Sequence, residues 1–167
     1  ALHLHRLGFD VRVFESVPAM RPLGVGLNLL PHAVRELTIL GLADDLAAIS
    51  IPTAELAYHN KHGQLIWREP RGLAAGYHWP QFSVHRGRLQ MLLFDAVVKA
   101  LGPDKVRTGL HLDSFTQDAD GVTAQFIDRA TGQSAGEARG DILVGADGIH
   151  STVRRAFERL VMRMRRS

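Results

Sequence analysis

Apolar residues along this chain fall into short clusters whose spacing changes repeatedly. Leu2, Leu4 and Leu7 predict the last turns of a helix stopped by Gly8. Val11-Arg12-Val13-Phe14 then predicts a short buried strand with Glu15 at its C-terminal end. Residues 16–30 are rich in proline and glycine and read as a loop. From Pro31, the positions of Val34, Leu37, Leu40 and Leu42 predict a helix closing near Gly41, with proline at its first position. Asp44 to Ile49 predict a second, shorter helix.

The spacing then shortens. Residues 55–59 and 64–67 flank Lys61-His62-Gly63 and predict a hairpin. Residues 70–80 read as irregular. Phe82-Ser83-Val84 predicts a strand running into a helix from Gly87 to Leu101, whose apolar face carries Leu89, Leu92, Leu93, Ala96, Val97 and Leu101. Strands are expected at 106–108, 110–116 and 122–127, and Thr131-Gly132-Gln133 turns the chain back. Asp141-Ile142-Leu143-Val144 reads as a last buried strand, followed by a helix from Ser151. There is no internal repeat. Strands alternating with helices predict an α/β fold, and the meander at 106–127 predicts an added antiparallel layer.

Composition narrows the class without naming a function. The 167 residues are 46% hydrophobic and 22% charged, as in ordinary globular domains. No apolar run approaches the roughly 18 residues a membrane helix needs, and residues 1–8 lack the pattern of a signal peptide. With no cysteine there are no disulfides, thiolate metal sites or thiol nucleophiles, which fits a cytoplasmic protein. The net charge of +3 is uneven, with six arginines crowded into residues 154–167. That basic end lacks interleaved aromatics for base stacking and reads as a solvated tail, so neither nucleic acid nor membrane is an expected partner. The nine histidines show no metal-ligand spacing, no paired carboxylates stand out, and Ser151 lacks the glycines of a nucleophile elbow. Trp67, Tyr77 and Trp79 read as core or pocket wall.

Three segments carry candidate chemistry. An acidic residue ending the second strand of a dinucleotide-binding βαβ unit hydrogen-bonds ribose hydroxyls, about 20 residues after the phosphate loop. Glu15 occupies such a position, and counting back places the loop upstream of residue 1. Taken singly, an acid ending a strand is ordinarily just solvated. Gly24-Val25-Gly26 has no strand leading into it and Leu29 at the third glycine position, so it is not the missing fingerprint. It reads either as a loop approached by a ligand or as a plain glycine turn. The run from Asp141 to Arg154 places Gly145-Ala146-Asp147-Gly148 between a strand and a helix start, where Asp147 can orient hydroxyls or loop amides and Ser151 can cap the helix.

Val-Gly-Ala-Asp-Gly-x-x-Ser-x-x-Arg at 144–154 resembles the Asp-Gly motif of the para-hydroxybenzoate-hydroxylase-type (group A) FAD-dependent monooxygenases. The segment from Phe82 to Leu92 resembles the same family, with Arg86 at the position of the family's flavin-side arginine. Arg21 to Asn28, Ile51-Pro52-Thr53, Glu69 to Gly72 and the run from Trp79 to Leu92 are similar to its phenazine-modifying members. The resemblance covers residues 1–156, with 51–84 expected in the substrate-side sheet, and leaves 157–167 as a basic tail of no recognised pattern. It implies a partial FAD-binding Rossmann-like domain, lacking the first strand and glycine-rich loop, with an inserted β-rich part. The later Gly-Asp motif and most of the substrate domain also have no counterpart.

The resemblance further implies an NAD(P)H-using enzyme that hydroxylates an aromatic or phenazine-like substrate with molecular oxygen through a flavin hydroperoxide. It assigns Glu15 to the adenosine ribose, Arg21, Gly24 and Gly26 to the flavin loop, Arg86 to the flavin, and Asp147 with Gly148 to the ribityl–phosphate end. The chain by itself is expected to be inactive. Two alternatives remain at this point: a truncated, cofactor-free remnant, and another flavoprotein oxidoreductase of the same fold, such as a geranylgeranyl reductase or halogenase relative. Oligomeric state and the choice between NADH and NADPH are left open.

Overall fold

Five α-helices and ten strands build two units in the computed structural model, which describes residues 1–164, with side chains through 158. One unit comprises residues 1–12 and 20–105; the other comprises 13–19 and 106–167.

In the first unit the chain runs through α1 (Leu2–Arg6), β2 (Gly26–Leu29), α2 (Pro31–Ile39), α3 (Ala43–Ala48), β3 (Ser50–Thr53), β4 (Glu55–His59), β5 (Leu65–Pro70), β6 (Gln81–His85) and α4 (Arg86–Leu101). β6 is the middle of an antiparallel sheet, with β2 on one side and β3 on the other. The registers Leu27↔Val84 and Leu29↔Phe82 place four apolar side chains on one face. That face packs with Val34 of α2, Leu46 of α3 and Leu89 of α4 into one core. The opposite face carries Gly26, Asn28, Ile51, Thr53, Gln81, Ser83 and His85. β4 and β5 form the expected hairpin, closed by the Arg68–Glu55 ion pair at 3.2 Å.

Three departures from expectation arise here. β2 lies inside the stretch read as loop, because Leu27 and Leu29 alternate with Gly26 and Asn28 and so satisfy the two-residue period of a half-buried strand. β3 has no counterpart among the strands predicted from the apolar pattern; it contains Pro52, which a ladder tolerates only on an edge strand, the place β3 occupies. The irregular stretch begins later than expected, since β5 runs to Pro70 before a single tight turn at Gly72–Ala75.

The second unit contains β1 (Val13–Phe14), β7 (Val106–Arg107), β8 (His111–Asp118), β9 (Gly121–Ile127), β10 (Ser134–Gly140) and α5 (Thr152–Met164). β1 pairs parallel to β7, and Glu15 extends the ladder by donating to Arg107 O and accepting from Leu110 N, both at 2.9 Å. The expected antiparallel layer is present as β10-β9-β8. Along the central strand Val122, Ala124 and Phe126 are buried in strict alternation. Phe14 stacks on Phe126 with ring centroids 4.5 Å apart.

β10 is a further unexpected strand. Ser134-Ala135-Gly136-Glu137-Ala138-Arg139-Gly140 has little intrinsic β preference. Its place comes from pairing with β9 and from Arg139, which reaches Asp118 of β8 with two hydrogen bonds at 2.8 and 3.0 Å and touches Thr123 Oγ1 at 3.1 Å. The Arg139 guanidinium holds the Asp118 carboxyl below the usual carboxylate range.

Residues 141–144 correct the expectation of a last buried strand. They join no ladder among the described residues, and Ile142 and Val144 are 74% and 64% exposed. A parallel strand needs a neighbour for its backbone groups and cover for both faces; an apolar run alone supplies neither. Residues 157–164, read as the start of a patternless tail, continue α5, whereas 165–167 lie outside the described residues.

Candidate functional site

Both units carry a glycine-bearing loop against the first turn of a helix. In the first unit, residues 22–25 lie across the start of α4. The Arg86 amide donates to Val25 O at 3.0 Å, and its Nε approaches Leu23 O at 3.4 Å. Gly24 has φ +123°, and a β-carbon there would sit 2.4 Å from Arg86 Nε. The guanidinium therefore lies against bare backbone that only glycine provides. Gly87 is still tighter: a β-carbon would fall 2.6 Å from both Leu23 N and Pro22 C. His85 caps the helix, its Nδ1 accepting from Gly87 N at 3.2 Å.

A cation in the first turn of a helix opposes the helix dipole. Among the described residues no carboxylate pairs with Arg86 to offset this, so its terminal nitrogens remain open to an anionic or acceptor-rich group. Arg21 is exposed at the start of the same loop. Gly26 lies in β2 opposite His85, and a β-carbon there would meet nothing within 4 Å.

In the second unit, Glu15 follows β1 as expected. Its Oε1 accepts from Val17 N at 2.9 Å and Ser16 Oγ at 3.1 Å. The two bonds fix the carboxylate, while Oε2 accepts none among the described residues. Asp147, expected to orient hydroxyls or loop amides, engages both kinds of group from the chain itself. Its Oδ1 accepts from Ser151 Oγ at 2.6 Å, and its Oδ2 accepts from the amides of Thr152 at 2.6 Å and Val153 at 3.3 Å. Ser151 Oγ in turn accepts from Arg154 N at 2.9 Å. Together they cap the first turn of α5. Partial burial works to raise the Asp147 pKa, but the hydrogen bonds from Ser151 and the helix amides outweigh it and hold the carboxyl below its ordinary value.

Gly148 has φ +70° with open space where a side chain would begin, so its backbone is approachable from outside. Gly145 packs inward, with a β-carbon position 2.7 Å from Val153 Cβ. Gly87, Gly145 and the capping His85 were missed at the level of sequence. The available signal was Gly87 itself, a poor helix former set one residue into a strongly periodic helix.

Each unit by itself carries groups that suit part of a nucleotide: in the first, a guanidinium without a carboxylate partner among the described residues beside a glycine loop; in the second, a fixed carboxylate with one oxygen left over, and an open left-handed glycine next to a helix start. Such loops on an α/β scaffold define a nucleotide-cofactor-binding domain. The chain belongs to the family described as the FAD binding domain, whose model matches residues 1–163.

Among curated relatives, the chain is 48% identical over 155 residues to phenazine 1,6-dicarboxylic acid hydroxylase PhzS of Lysobacter antibioticus, covering 92% of this chain and 38% of that protein. It is 33% identical to the aurachin C monooxygenase/isomerase of Stigmatella aurantiaca, covering 90% of this chain and 37% of the relative. Among solved structures it is similar to Klebsiella pneumoniae HpxO complexed with FAD and uric acid, at TM-score 0.76 and 28% identity over 93% of this chain and 37% of that one. It is also similar to p-nitrophenol 4-monooxygenase PnpA from Pseudomonas putida, at TM-score 0.77 and 25% identity over 92% and 38% of the two chains. The chain thus spans a little over a third of the length of these relatives. The expected family and α/β fold are borne out, and the cofactor of the family is FAD. Among the described residues no helix is long and apolar enough to cross a membrane.

Proposed function

We propose that this chain forms the FAD-binding part of a cytoplasmic monooxygenase that uses NAD(P)H and molecular oxygen to hydroxylate a phenazine-like heteroaromatic acid. The observation that carries the reading is Arg86, a guanidinium laid on Gly24 at a helix start with no carboxylate partner. The substrate class follows the name of the Lysobacter relative. Turnover is proposed only for a protein of the relatives' length.

FAD, when bound, supplies the electron transfer and oxygen chemistry. The chain's residues bind and orient it. In the first unit, Arg86 donates toward the flavin end, while Arg21, Gly24 and Gly26 form the loop that approaches it. In the second unit, Glu15 offers Oε2 to ribose hydroxyls. Gly148 presents open backbone to the ribityl–phosphate end, and Asp147 acts as a positioning residue by fixing the start of α5. Residues 51–84 contribute to the substrate side, and 1–156 constitute the cofactor domain.

An FAD titration of the purified chain, followed by flavin fluorescence, tests this reading. Saturable binding is expected, with Arg86→Ala weakening it about tenfold or more, as for loss of a charge-assisted hydrogen bond. Absence of saturable binding would sink the cofactor role. The exposure of Ile142 and Val144 favours the second reading, a chain that carries no cofactor, and the same titration decides between the two.

A further inference from the structure

The face of the β2-β6-β3 sheet that turns away from the core carries a directed row of polar groups. Ser83 Oγ donates to Asn28 Oδ1 at 2.7 Å, and Thr53 Oγ1 lies 2.9 Å from Ser83 Oγ. Ser83 has a single hydroxyl hydrogen and gives it to Asn28, so Thr53 must supply the hydrogen in the other contact. The row runs from Thr53 through Ser83 to Asn28. It consumes the Asn28 carbonyl and leaves both amide hydrogens on Nδ2 facing outward.

The same face ends at His85. Its Nδ1 accepts from the Gly87 amide, so the ring's hydrogen-bond donor is Nε2. Between these two donors lies Gly26, paired with His85 and two residues before Asn28, with no protein atom within 4 Å of where a side chain would begin. None of the seven residues on this face is acidic, and Ile51, 72% exposed, adds an apolar surface beside Ser83. Gly26 thus leaves a notch in the ladder beside Asn28 and His85, with Ile51 next to Ser83 and no acidic residue among the seven.

We propose that this notch receives the carboxylate of a planar heteroaromatic acid. Asn28 Nδ2 and His85 Nε2 donate to the carboxylate, Gly26 leaves room for it, and Ser83 and Thr53 are positioning residues that hold the Asn28 amide donor-outward. This deepens the substrate class proposed above and rests on that reading. It assigns specificity to Asn28, Ser83, Thr53, His85 and the gap at Gly26. The acidity of the ligand, rather than its ring system alone, is what the face selects.

The test is a titration of the full chain with phenazine-1,6-dicarboxylate and with unsubstituted phenazine, read by quenching of tryptophan fluorescence. The wild type is expected to bind the dicarboxylate about tenfold tighter, 1.4 kcal/mol. Asn28→Asp keeps the oxygen that Ser83 needs but replaces the donor with an anion, and should abolish that margin. Ser83→Ala should reduce dicarboxylate affinity about threefold and leave phenazine affinity unchanged, with Ser83→Thr restoring it. Gly26→Ala should weaken dicarboxylate binding without lowering Tm, since the protein itself has room for the methyl group. Equal affinity for the two ligands, no saturable dicarboxylate binding by the wild type, or an Asn28→Asp variant that binds it as tightly as the wild type would each overturn the proposal. The FAD titration separates the two readings. FAD binding without carboxylate preference sinks only this inference, whereas carboxylate preference without FAD binding sinks only the cofactor role.

Discussion

The first turns of α4 and α5 solve the same problem in opposite ways. Each helix begins with amides that need acceptors and a positive dipole end. At α5 the chain supplies its own anion: Asp147 accepts from two helix amides and from Ser151, which accepts from a third. At α4 it supplies an imidazole nitrogen as cap and then adds a cation, Arg86, against Gly24. The α5 start is electrostatically complete, while the α4 start is left wanting an anion. An acidic residue in a sequence motif can therefore belong to the scaffold, whereas a cation placed against the dipole points outward to a ligand.

Five substitutions press on this contrast. The largest effect is expected for Gly87→Ala, which drives a methyl group into the backbone of Pro22 and Leu23. It should destabilise the first unit by about 3 kcal/mol, measured by urea denaturation, because backbone cannot step aside as a side chain can. Gly145→Ala should cost less, about 1–2 kcal/mol. Its obstacle is the Val153 side chain, and a Val153→Ala second substitution should recover part of the loss in a double-mutant cycle. If Val153→Ala gives no recovery, the close approach of the loop to α5 is not what Gly145 serves.

Asp147→Ala should lower stability by about 1 kcal/mol, while Asp147→Asn, an equally good cap, should come within a few tenths of the wild type. FAD affinity should fall in the alanine variant and return in the asparagine variant. An asparagine variant as poor as alanine would show that the charge acts directly on the ligand. The smallest effect is in acid. The Asp147 carboxyl is held below 3.8 in the folded chain, so its contribution is complete above that pH and fades as pH falls through the lowered value. Stability curves of the wild type and Asp147→Asn should converge there; parallel curves down to the most acidic pH would contradict the cap.

The helices were legible in the sequence because their apolar period and stops such as Gly8 and Gly41 are local. So were the hairpin and the meander, through turn residues and alternation. What escaped depends on partners distant in sequence. β10 has a weak strand sequence and is held by Asp118 through Arg139. β2 looked like loop because its value as a strand lies in two leucines that meet Phe82 and Val84. The opposite error occurred at 141–144, where apolar residues with no ladder partner lie exposed. At the candidate site, the residue types and the glycines were visible in advance, but which acceptors and donors were already spent was not. Only geometry separates the engaged carboxylate of Asp147 from the half-free one of Glu15.

The parallel pairing of Val13 with Val106 bears on how this chain reaches its folded state. Those two residues are about 90 positions apart, and closing a flexible loop of that length carries an entropic penalty of about 4 kcal/mol before any contact rewards it. If residues 20–105 collapse first, most of that loop is already taken up and the return of β7 to β1 becomes short-range. The second unit is then the later step of a hierarchical assembly, and Glu15, anchored by backbone bonds to Arg107 and Leu110, is among the last residues to acquire its final orientation.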